Sequence, residues 1–280
     1  MDIRKKIIKI ASNILADINF NNQKEFEEYL KNHPNYREDT KFFVDGMQVS
    51  APPREKNRGE DEKIQMTDEQ KKLHQIAMSG REVDRINVAM NKNTSPQTLY
   101  MLSGDEYMAV RKAVASNENT PPEALDRLSR DKYDDVRSDV AENPNTPIKT
   151  IEKLSYDNDW LVRMCAVSNR NIHPTSLYRL SRDENESVRL LVAIKYNTPP
   201  EILEKLSVDE SVEVRRGVAN NEYTPPEILE KLSVDEDLGV VFIVYNNPSL
   251  PEKIRQKLSK IDFPQEIIDS VNKVFIIDGF

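Results

Sequence analysis

Aspartate and arginine recur at fixed intervals through most of the chain, and both side chains are able to do chemistry. Carboxylates act as general acids or bases, and a column of guanidinium groups can bind phosphates. A residue that every unit of a regular array contains is better explained by contact between neighbouring units. We therefore interpret these residues as a structural ladder, in which each Asp caps a helix and pairs with an Arg across a unit boundary. The ladder residues are Asp105, Arg111, Asp131, Arg137, Asp157, Arg163, Asp183, Arg189, Asp209 and Arg215.

Cysteine and histidine offer little further chemistry. Cys165 is the single cysteine, which excludes an internal disulfide, and we expect it to be a semi-buried filler of a helix. His33, His74 and His173 lie in different segments, so no pair has the spacing of metal ligands on one helix. The sequence contains no Walker loop, GxSxG or HExxH motif. These observations predict a protein that is not an enzyme and that has no metal and no cofactor.

The elements that position these residues follow a strict repeat. Apolar spacing within a unit predicts two short helices, the first with Leu125 and Leu128 on one face and the second with Val136 and Val140. Helices this short cannot bury an apolar face alone, so the units must stack into an α-solenoid. We expect about seven and a half units of right-handed type. Leu-Ser pairs mark the period of 26 residues, at Leu102, Leu128, Leu154, Leu180, Leu206, Leu232 and Leu258.

Polar residues at fixed places predict where the helices begin and end. Thr120 precedes Pro-Pro-Glu, which is typical of a capping box at the start of a first helix. Asparagines such as Asn143 follow the second helices, where a left-handed residue commonly ends a helix.

The unit N-x-N-T-P-P-E-x-L-x-x-L-S-x-D-x-x-x-x-V-R-x-x-V-A resembles the bacterial leucine-rich repeat variant, and its Asp…Val-Arg part is similar to HEAT repeats. The resemblance covers residues 67–260 and implies an all-α solenoid of stacked short helical pairs. HEAT-like solenoids include DNA glycosylases that hold duplex DNA in a concave face, so nucleic-acid binding is an alternative function. The period here is longer than that of the family. The family's iron–sulfur segment needs several cysteines, so no cluster is implied.

The chain is predicted to have three parts. Residues 1–45 form an N-terminal helical module, which begins with an amphipathic helix over residues 2–18. Residues 46–66 are polar and charged and are interpreted as a flexible linker, and residues 67–280 form the solenoid with a C-terminal cap. Residues 28–34 resemble a short N-terminal segment of phage and environmental proteins. That resemblance implies a second alternative, an accessory protein tethered to a larger, phage-like assembly.

Charge and hydropathy limit the partners. The net charge is −8, and residues 1–66 hold 12 basic and 12 acidic residues, so the repeats carry the whole excess. This charge disfavours nucleic acid, which needs surplus Lys and Arg. No uncharged run approaches the length of a membrane span. Lysines interrupt the apolar start of the chain, and a signal peptide would not tolerate charges there. We expect a cytoplasmic protein and leave its oligomeric state open.

The variable columns of the second helices carry the predicted binding site. The outward columns of the first helices are mostly charged, which is typical of a solvated convex face. On the second helices, apolar side chains rimmed by charge have the composition of a binding hot spot; the alternative is that the superhelix twists them into the core. The predicted function is a non-catalytic scaffold that binds a protein or peptide through its second-helix, concave surface. The predicted residues are Trp160, Leu161, Met164, Leu190 and Ile194, with Glu186 and Arg216 at the rim.

Overall fold

The computed structural model describes residues 42–44, 47–49 and 66–271 of the chain. The strands β1 (Phe42–Val44) and β2 (Met47–Val49) pair antiparallel and belong to a compact unit distinct from the one that holds the repeats. This hairpin lies across the predicted boundary between module and linker, where the sequence pattern indicated no strand. The predicted helix over residues 2–18 and the remainder of the predicted linker lie outside the described residues.

Helices make up most of the remaining described chain, and from α2 to α15 helices of nine and seven residues alternate. We call the seven-residue helices α3 to α15 first helices and the nine-residue helices α2 to α14 second helices. This alternation confirms the predicted solenoid of short helical pairs. The helices are α1 (Asp68–Ser79), α2 (Glu82–Met90), α3 (Pro96–Leu102), α4 (Met108–Ser116), α5 (Pro122–Leu128), α6 (Asp134–Glu142), α7 (Ile148–Leu154), α8 (Trp160–Ser168), α9 (Pro174–Leu180), α10 (Glu186–Ile194), α11 (Pro200–Leu206), α12 (Val212–Asn220), α13 (Pro226–Leu232), α14 (Leu238–Asn246), α15 (Glu252–Leu258) and α16 (Gln265–Val271).

The core runs through the stack as one continuous cluster. Each second helix packs on the second helices of the units before and after it, and on the first helices beside it. Leu125 and Leu128 of α5 and Val136 and Val140 of α6 are buried in this cluster, as their spacing predicted. No unit encloses a core of its own, so each boundary between units is also part of the core.

The predicted capping box at Thr-Pro-Pro-Glu is wrong. Helix α5 begins at Pro122, and its N-cap residue Pro121 has no capping side chain. The hydroxyl of Thr120 instead donates to the carbonyl of Val114, at 2.6 Å, and closes the end of the preceding helix. The two prolines set φ for the first turn, so the threonine lies one residue outside the helix and serves the helix before it. Thr67 does form a true capping box at α1.

The asparagines that end the second helices are also not left-handed. Asn143 has φ −66° and ψ 124°, which is extended backbone, and Asn117 and Asn169 have similar angles. Their side-chain hydrogen bonds, rather than backbone freedom, account for the recurrence of asparagine at this position.

The C-terminal end of the described solenoid is covered by apolar side chains. Helix α16 packs on α14. The ring of Phe263 meets Phe242 edge-on, with centroids 5.1 Å apart, and lies 6.1 Å from the ring of Tyr245. Val271 is buried. Within residues 66–271, no helix has both the length and the apolar character that a membrane crossing requires.

Candidate functional site

Arginine and aspartate side chains join successive units. Arg163 Nε and Nη2 each lie 2.7 Å from a carboxylate oxygen of Asp183, in the next unit. Arg163 Nη1 donates to the carbonyl of Asp157, at 2.9 Å, so one guanidinium links three segments. Bidentate geometry of this kind is the strongest form of the Arg–carboxylate pair. The corresponding pairs are Arg85–Asp105, Arg111–Asp131, Arg137–Asp157, Arg189–Asp209 and Arg215–Asp235.

Each of these aspartates also supports the turn before a second helix, although not as its N-cap. Asp183 Oδ1 accepts from the backbone N–H of Asn185, at 3.0 Å, and Asn185 is the N-cap of α10. The N-cap is therefore Asn185, two residues after the predicted Asp183. With a guanidinium and a backbone N–H around it, the carboxylate has its acceptors occupied inside the fold.

Electrostatics hold both partners of the Arg111–Asp131 pair in their charged forms. The hydrogen bond with Asp131 raises the pKa of Arg111, against the opposing effect of burial. Burial raises the pKa of Asp131, but the hydrogen bonds from Arg111 and from the N–H of Tyr133 outweigh it, so the pKa lies below its ordinary value. A carboxylate that stays ionised beside a permanent cation is not poised to exchange protons near neutral pH.

The ladder extends further than the sequence prediction at one end and stops at the other. Arg85 is its first arginine, 26 residues before Arg111, so the period contained the signal that identifies it. At the other end the Arg position is taken by Val241, which is buried.

Sequence reasoning missed a second ladder, made of asparagine amides. Asn169 Nδ2 donates to the carbonyls of Ala141 and Asn143 in the preceding unit, at 2.7 and 2.9 Å. Its Oδ1 accepts from the backbone N–H of Asn171, at 2.8 Å. Lys195 occupies this column once and is only 1% exposed. The same bonds to preceding carbonyls are made by Asn117, Asn143, Asn221 and Asn247.

The predicted apolar residues of the second helices do not all reach the surface. Met164 is 0% exposed and belongs to the core. The other four, Trp160, Leu161, Leu190 and Ile194, are partly buried and pack against the core from outside. We call these four residues the Trp160 patch.

Leu190 and Ile194 of the Trp160 patch pack against a glycine of the next unit. A Cβ atom at Gly217 would lie 2.7 Å from Leu190 Cδ1 and 3.1 Å from Ile194 Cγ2. Leu190 and Ile194 therefore lie directly against the backbone of α12, and the side chains at the patch are held in place by the neighbouring unit.

The two predicted rim residues differ in their availability. Glu186 is exposed, with one carboxylate oxygen 2.7 Å from Ser211 Oγ. Arg216 is buried and ion-paired with Asp237, at 3.0 Å, and with Glu213, at 2.9 Å. Arg216 is thus committed to contacts within the protein.

The remaining candidate residues have structural surroundings. Cys165 is fully buried, more than predicted, with its Sγ 3.2 Å from a carboxylate oxygen of Glu142. His74 Nδ1 lies 2.9 Å from Thr98 Oγ1, and His173 is the N-cap of α9. His33 lies outside the described residues. Over residues 66–271, no three metal-ligating side chains cluster as a cation site would need.

Comparison with known proteins agrees with this architecture. A solved structure described as a leucine-rich repeat variant with a novel repetitive structural motif is 28% identical to this chain, with a TM-score of 0.56; the match covers 72% of this chain and 80% of that one. A HEAT-like repeat protein from the archaeon Thermococcus onnurineus NA1 is 12% identical, with a TM-score of 0.34, and covers 72% of this chain and 97% of that one. No curated protein matches the sequence. The family model of the leucine-rich repeat variant matches residues 109–132 and 212–237, so the resemblance stated from the sequence is confirmed, and the fold is a repeat solenoid.

Proposed function

We propose that the protein is a non-catalytic scaffold that binds a protein or peptide through its second helices, at the Trp160 patch. The observation that carries the proposal is the partial exposure of four apolar side chains on two successive second helices, α8 and α10. In the preceding second helix, the positions equivalent to Trp160 and Leu161 are the exposed Asp134 and Asp135. An apolar patch that interrupts a charged surface is typical of an interface, and tryptophan is enriched at interface hot spots.

The ladders make this surface rigid before any partner binds. The Arg163–Asp183 pair and the amide of Asn169 fix the boundaries on which α8 and α10 lie. A surface that is already ordered loses little conformational entropy on binding, and more of the contact energy appears as affinity.

The rim of the patch favours a partner with positive charge. Asp134 and Glu186 are exposed, Asp135 is exposed but paired with Lys112 at 2.9 Å, and the nearby Arg216 is neutralised by its own ion pairs. Acidic groups around an apolar centre accelerate the encounter with a basic segment and orient it. The proposed partner therefore presents an apolar anchor beside Lys or Arg side chains.

The structure gives less support to the nucleic-acid alternative. Its candidate residues were the repeated arginines, and Arg111, Arg163, Arg189 and Arg215 are buried and paired with aspartates. Arginines in that state do not form a phosphate track, since phosphate contacts need accessible guanidinium groups. The tethering alternative depends on residues 1–45 and stays a prediction.

The proposal is tested by crosslinking from inside the patch and then by measuring affinity. A photo-crosslinking residue replaces Leu161, which leaves Trp160 and Leu190 intact, and a matched one replaces Glu204 on a first helix. A protein captured at position 161 and absent at 204 is purified and titrated against Leu190→Glu and, as a control, Glu227→Lys on the exposed side of α13. We expect Leu190→Glu to reduce affinity at least about tenfold with an unchanged circular dichroism spectrum, because a buried carboxylate opposes the apolar contact. Equal capture at both positions, or unchanged affinity of Leu190→Glu, would refute the proposal.

A further inference from the structure

Basic residues also form a column at the ends of the first helices, and two of its members, Lys153 and Lys231, are paired with an acid of the preceding unit. Lys153 Nζ lies 3.2 Å from Asp126 Oδ1, and Lys231 Nζ lies 2.6 Å from Glu204 Oε1. In both pairs the acid stands 27 positions before the lysine. The residue 27 positions before Lys205 is Tyr178, so this lysine lacks the carboxylate that Lys153 and Lys231 have.

Two arginines of the preceding unit, of which Arg182 lies near Lys205, likewise form no ion pair with a carboxylate in the described part of the chain. The guanidinium carbon of Arg179 lies 3.8 Å from the ring centre of Tyr156, and that of Arg182 lies 4.2 Å from the ring centre of Tyr178. Arg182 also donates to the hydroxyl of Tyr178, at 2.6 Å. Among the described residues, no Asp or Glu forms an ion pair with Arg179, Arg182 or Lys205. We call these three residues and the two tyrosines the cationic cluster.

Two observations indicate that the polar and charged groups of the cluster are not fully compensated within the fold. Arg179 donates to the carbonyl of Ser155, but its Nε atom is buried and has no hydrogen-bond acceptor within the described chain. Burial, and next the nearby charge of Arg182, lower the pKa of Lys205. The charge of Asp209 opposes this shift only in part, and like charges held close together are stabilised by any further anionic group that reaches them.

Along the same edge, the next two units expose apolar side chains. Arg182 is followed at the equivalent positions by Val208 and Val234, which are 78% and 83% exposed. Adjacent helices of a stack lie about 8–10 Å apart, and an extended peptide advances about 3.3 Å per residue. One unit of the solenoid therefore corresponds to about three residues of an extended peptide.

We propose that the cationic cluster binds an acidic peptide segment, whose carboxylates contact Arg182 and Lys205 and whose apolar side chains, about three and six positions later, cover Val208 and Val234. A guanidinium presents its donors in a geometry that matches a carboxylate. The positive charge is confined to the cluster, because the next basic residue of the column is already paired with Glu204. A short acidic tract followed by apolar residues fits this arrangement.

A nucleic acid fits the same edge less well. It would bring a continuous row of phosphates to a chain of net charge −8, and only the cluster would attract it. The exposed valines offer nothing to a phosphate backbone but match apolar side chains. This site shares no residue with the Trp160 patch, so the test of one proposal does not decide the other.

The experiment uses the full chain and a fluorescein-labelled peptide with two adjacent glutamates and leucines three and six positions after them. Anisotropy titrations at low salt compare the wild type with Arg182→Glu, Lys205→Glu and the matched control Lys257→Glu, which lies in the same column on α15. We expect the first two variants to weaken binding at least about tenfold and the control to weaken it less than about twofold, because removing an unpaired cation deletes a charge-assisted hydrogen bond. Val208→Ser should weaken binding of the peptide that contains leucines and leave binding of a peptide with serines in their place unchanged.

Circular dichroism melts establish whether the variants are folded; the substituted side chains are exposed except that of Lys205, which is half-buried. An oligothymidylate titrated in parallel separates the two classes of polyanion. Equal loss of peptide binding in Lys257→Glu, or absence of binding by the wild type, would overturn the proposal. Tighter binding of the oligothymidylate than of the peptide, abolished by Arg182→Glu, would overturn it in favour of a nucleic acid.

Discussion

Arg163 and Asp183 form a bidentate ion pair in which the two side chains are only 8% and 4% exposed. The pair crosses the boundary between two units, and the same guanidinium holds the turn at Asp157. Burying charges is unfavourable unless their partners are complete. Stability of a solenoid is approximately the sum of unit and boundary contributions, so this pair makes one boundary sensitive to the loss of a single carboxylate.

Substitution Asp183→Ala leaves the buried guanidinium of Arg163 without its counter-charge. We expect the free energy of unfolding to fall by about 3–5 kcal/mol, which is typical when one partner of a buried pair is removed. Urea unfolding monitored by circular dichroism measures the change. Because the boundary lies in the middle of the stack, the transition should also broaden as the two halves unfold separately.

Glu184→Ala is the matched control for that variant. Glu184 Oε1 lies 3.5 Å from the same guanidinium, yet the side chain is 88% exposed. Exposed ion pairs are weak, so the expected change is below about 0.5 kcal/mol. If both variants lost equal stability, burial of the Arg163–Asp183 pair would not be the cause.

Acidification should weaken the ladder through its aspartates. The pKa of Asp131 is held below its ordinary value in the folded protein. A depressed pKa contributes stability above the pKa of the unfolded state, about 3.9, and this stability is lost as the pH falls through the folded value. The stability difference between the wild type and Asp131→Asn should be constant from about pH 7 to 5 and shrink below about pH 4. A difference that grows on acidification would contradict this assignment.

The asparagine ladder predicts an unusual order of stability. In Asn169→Ala the carbonyls of Ala141 and Asn143 lose their donor, and we expect a loss of about 1–3 kcal/mol. In Asn169→Asp the shape is kept, but a carboxylate faces the two carbonyls, so the loss should be larger. Thermal or urea unfolding of the two variants decides the point. A more stable Asp variant would show that shape, and not the donated amide hydrogens, explains the column.

The sequence predicted those features that depend on the spacing within one unit. Leu125 and Leu128 are three residues apart and Val136 and Val140 four, and all are buried as a helical stripe requires. The partners of Asn169 and Thr120 were not predictable in that way. The Asn169 amide bonds to a carbonyl 28 positions earlier, and only the stacking of units brings the two together.

The candidate site was predicted in part for the same reason. Met164 and Leu190 occupy equivalent positions of successive units, yet only Leu190 reaches the surface. Position within a unit fixes the direction in which a side chain leaves its own helix, whereas its burial depends on the neighbouring units. Arg216 shows this most clearly, since Asp237, which neutralises it, belongs to the next unit.

Lys195 interrupts the asparagine column, and its replacement tests whether an asparagine at this position would stabilise the fold. It stands where the other units have asparagine, it is 1% exposed, and its backbone carbonyl accepts from Asn221 Nδ2 at 3.1 Å. By the register of the column, an asparagine here would donate to the carbonyls of Val167 and Asn169. The ammonium group of Lys195 has contacts of its own, among them the ring of Tyr196 with its centroid 5.9 Å away, but burying a charge is more unfavourable than burying an amide that has both acceptors. We expect Lys195→Asn to raise the free energy of unfolding by about 1 kcal/mol.

Lys195→Met separates the two contributions to that gain. Methionine keeps most of the side-chain volume and removes the charge, but it donates no hydrogen bond. If the asparagine ladder provides the gain, Lys195→Met should be less stable than Lys195→Asn in urea unfolding at neutral pH. Equal stability of the two variants would assign the gain to the removal of a buried charge. A loss in both would mean that the ammonium group of Lys195 makes contacts that stabilise this boundary more than the asparagine of the other units does.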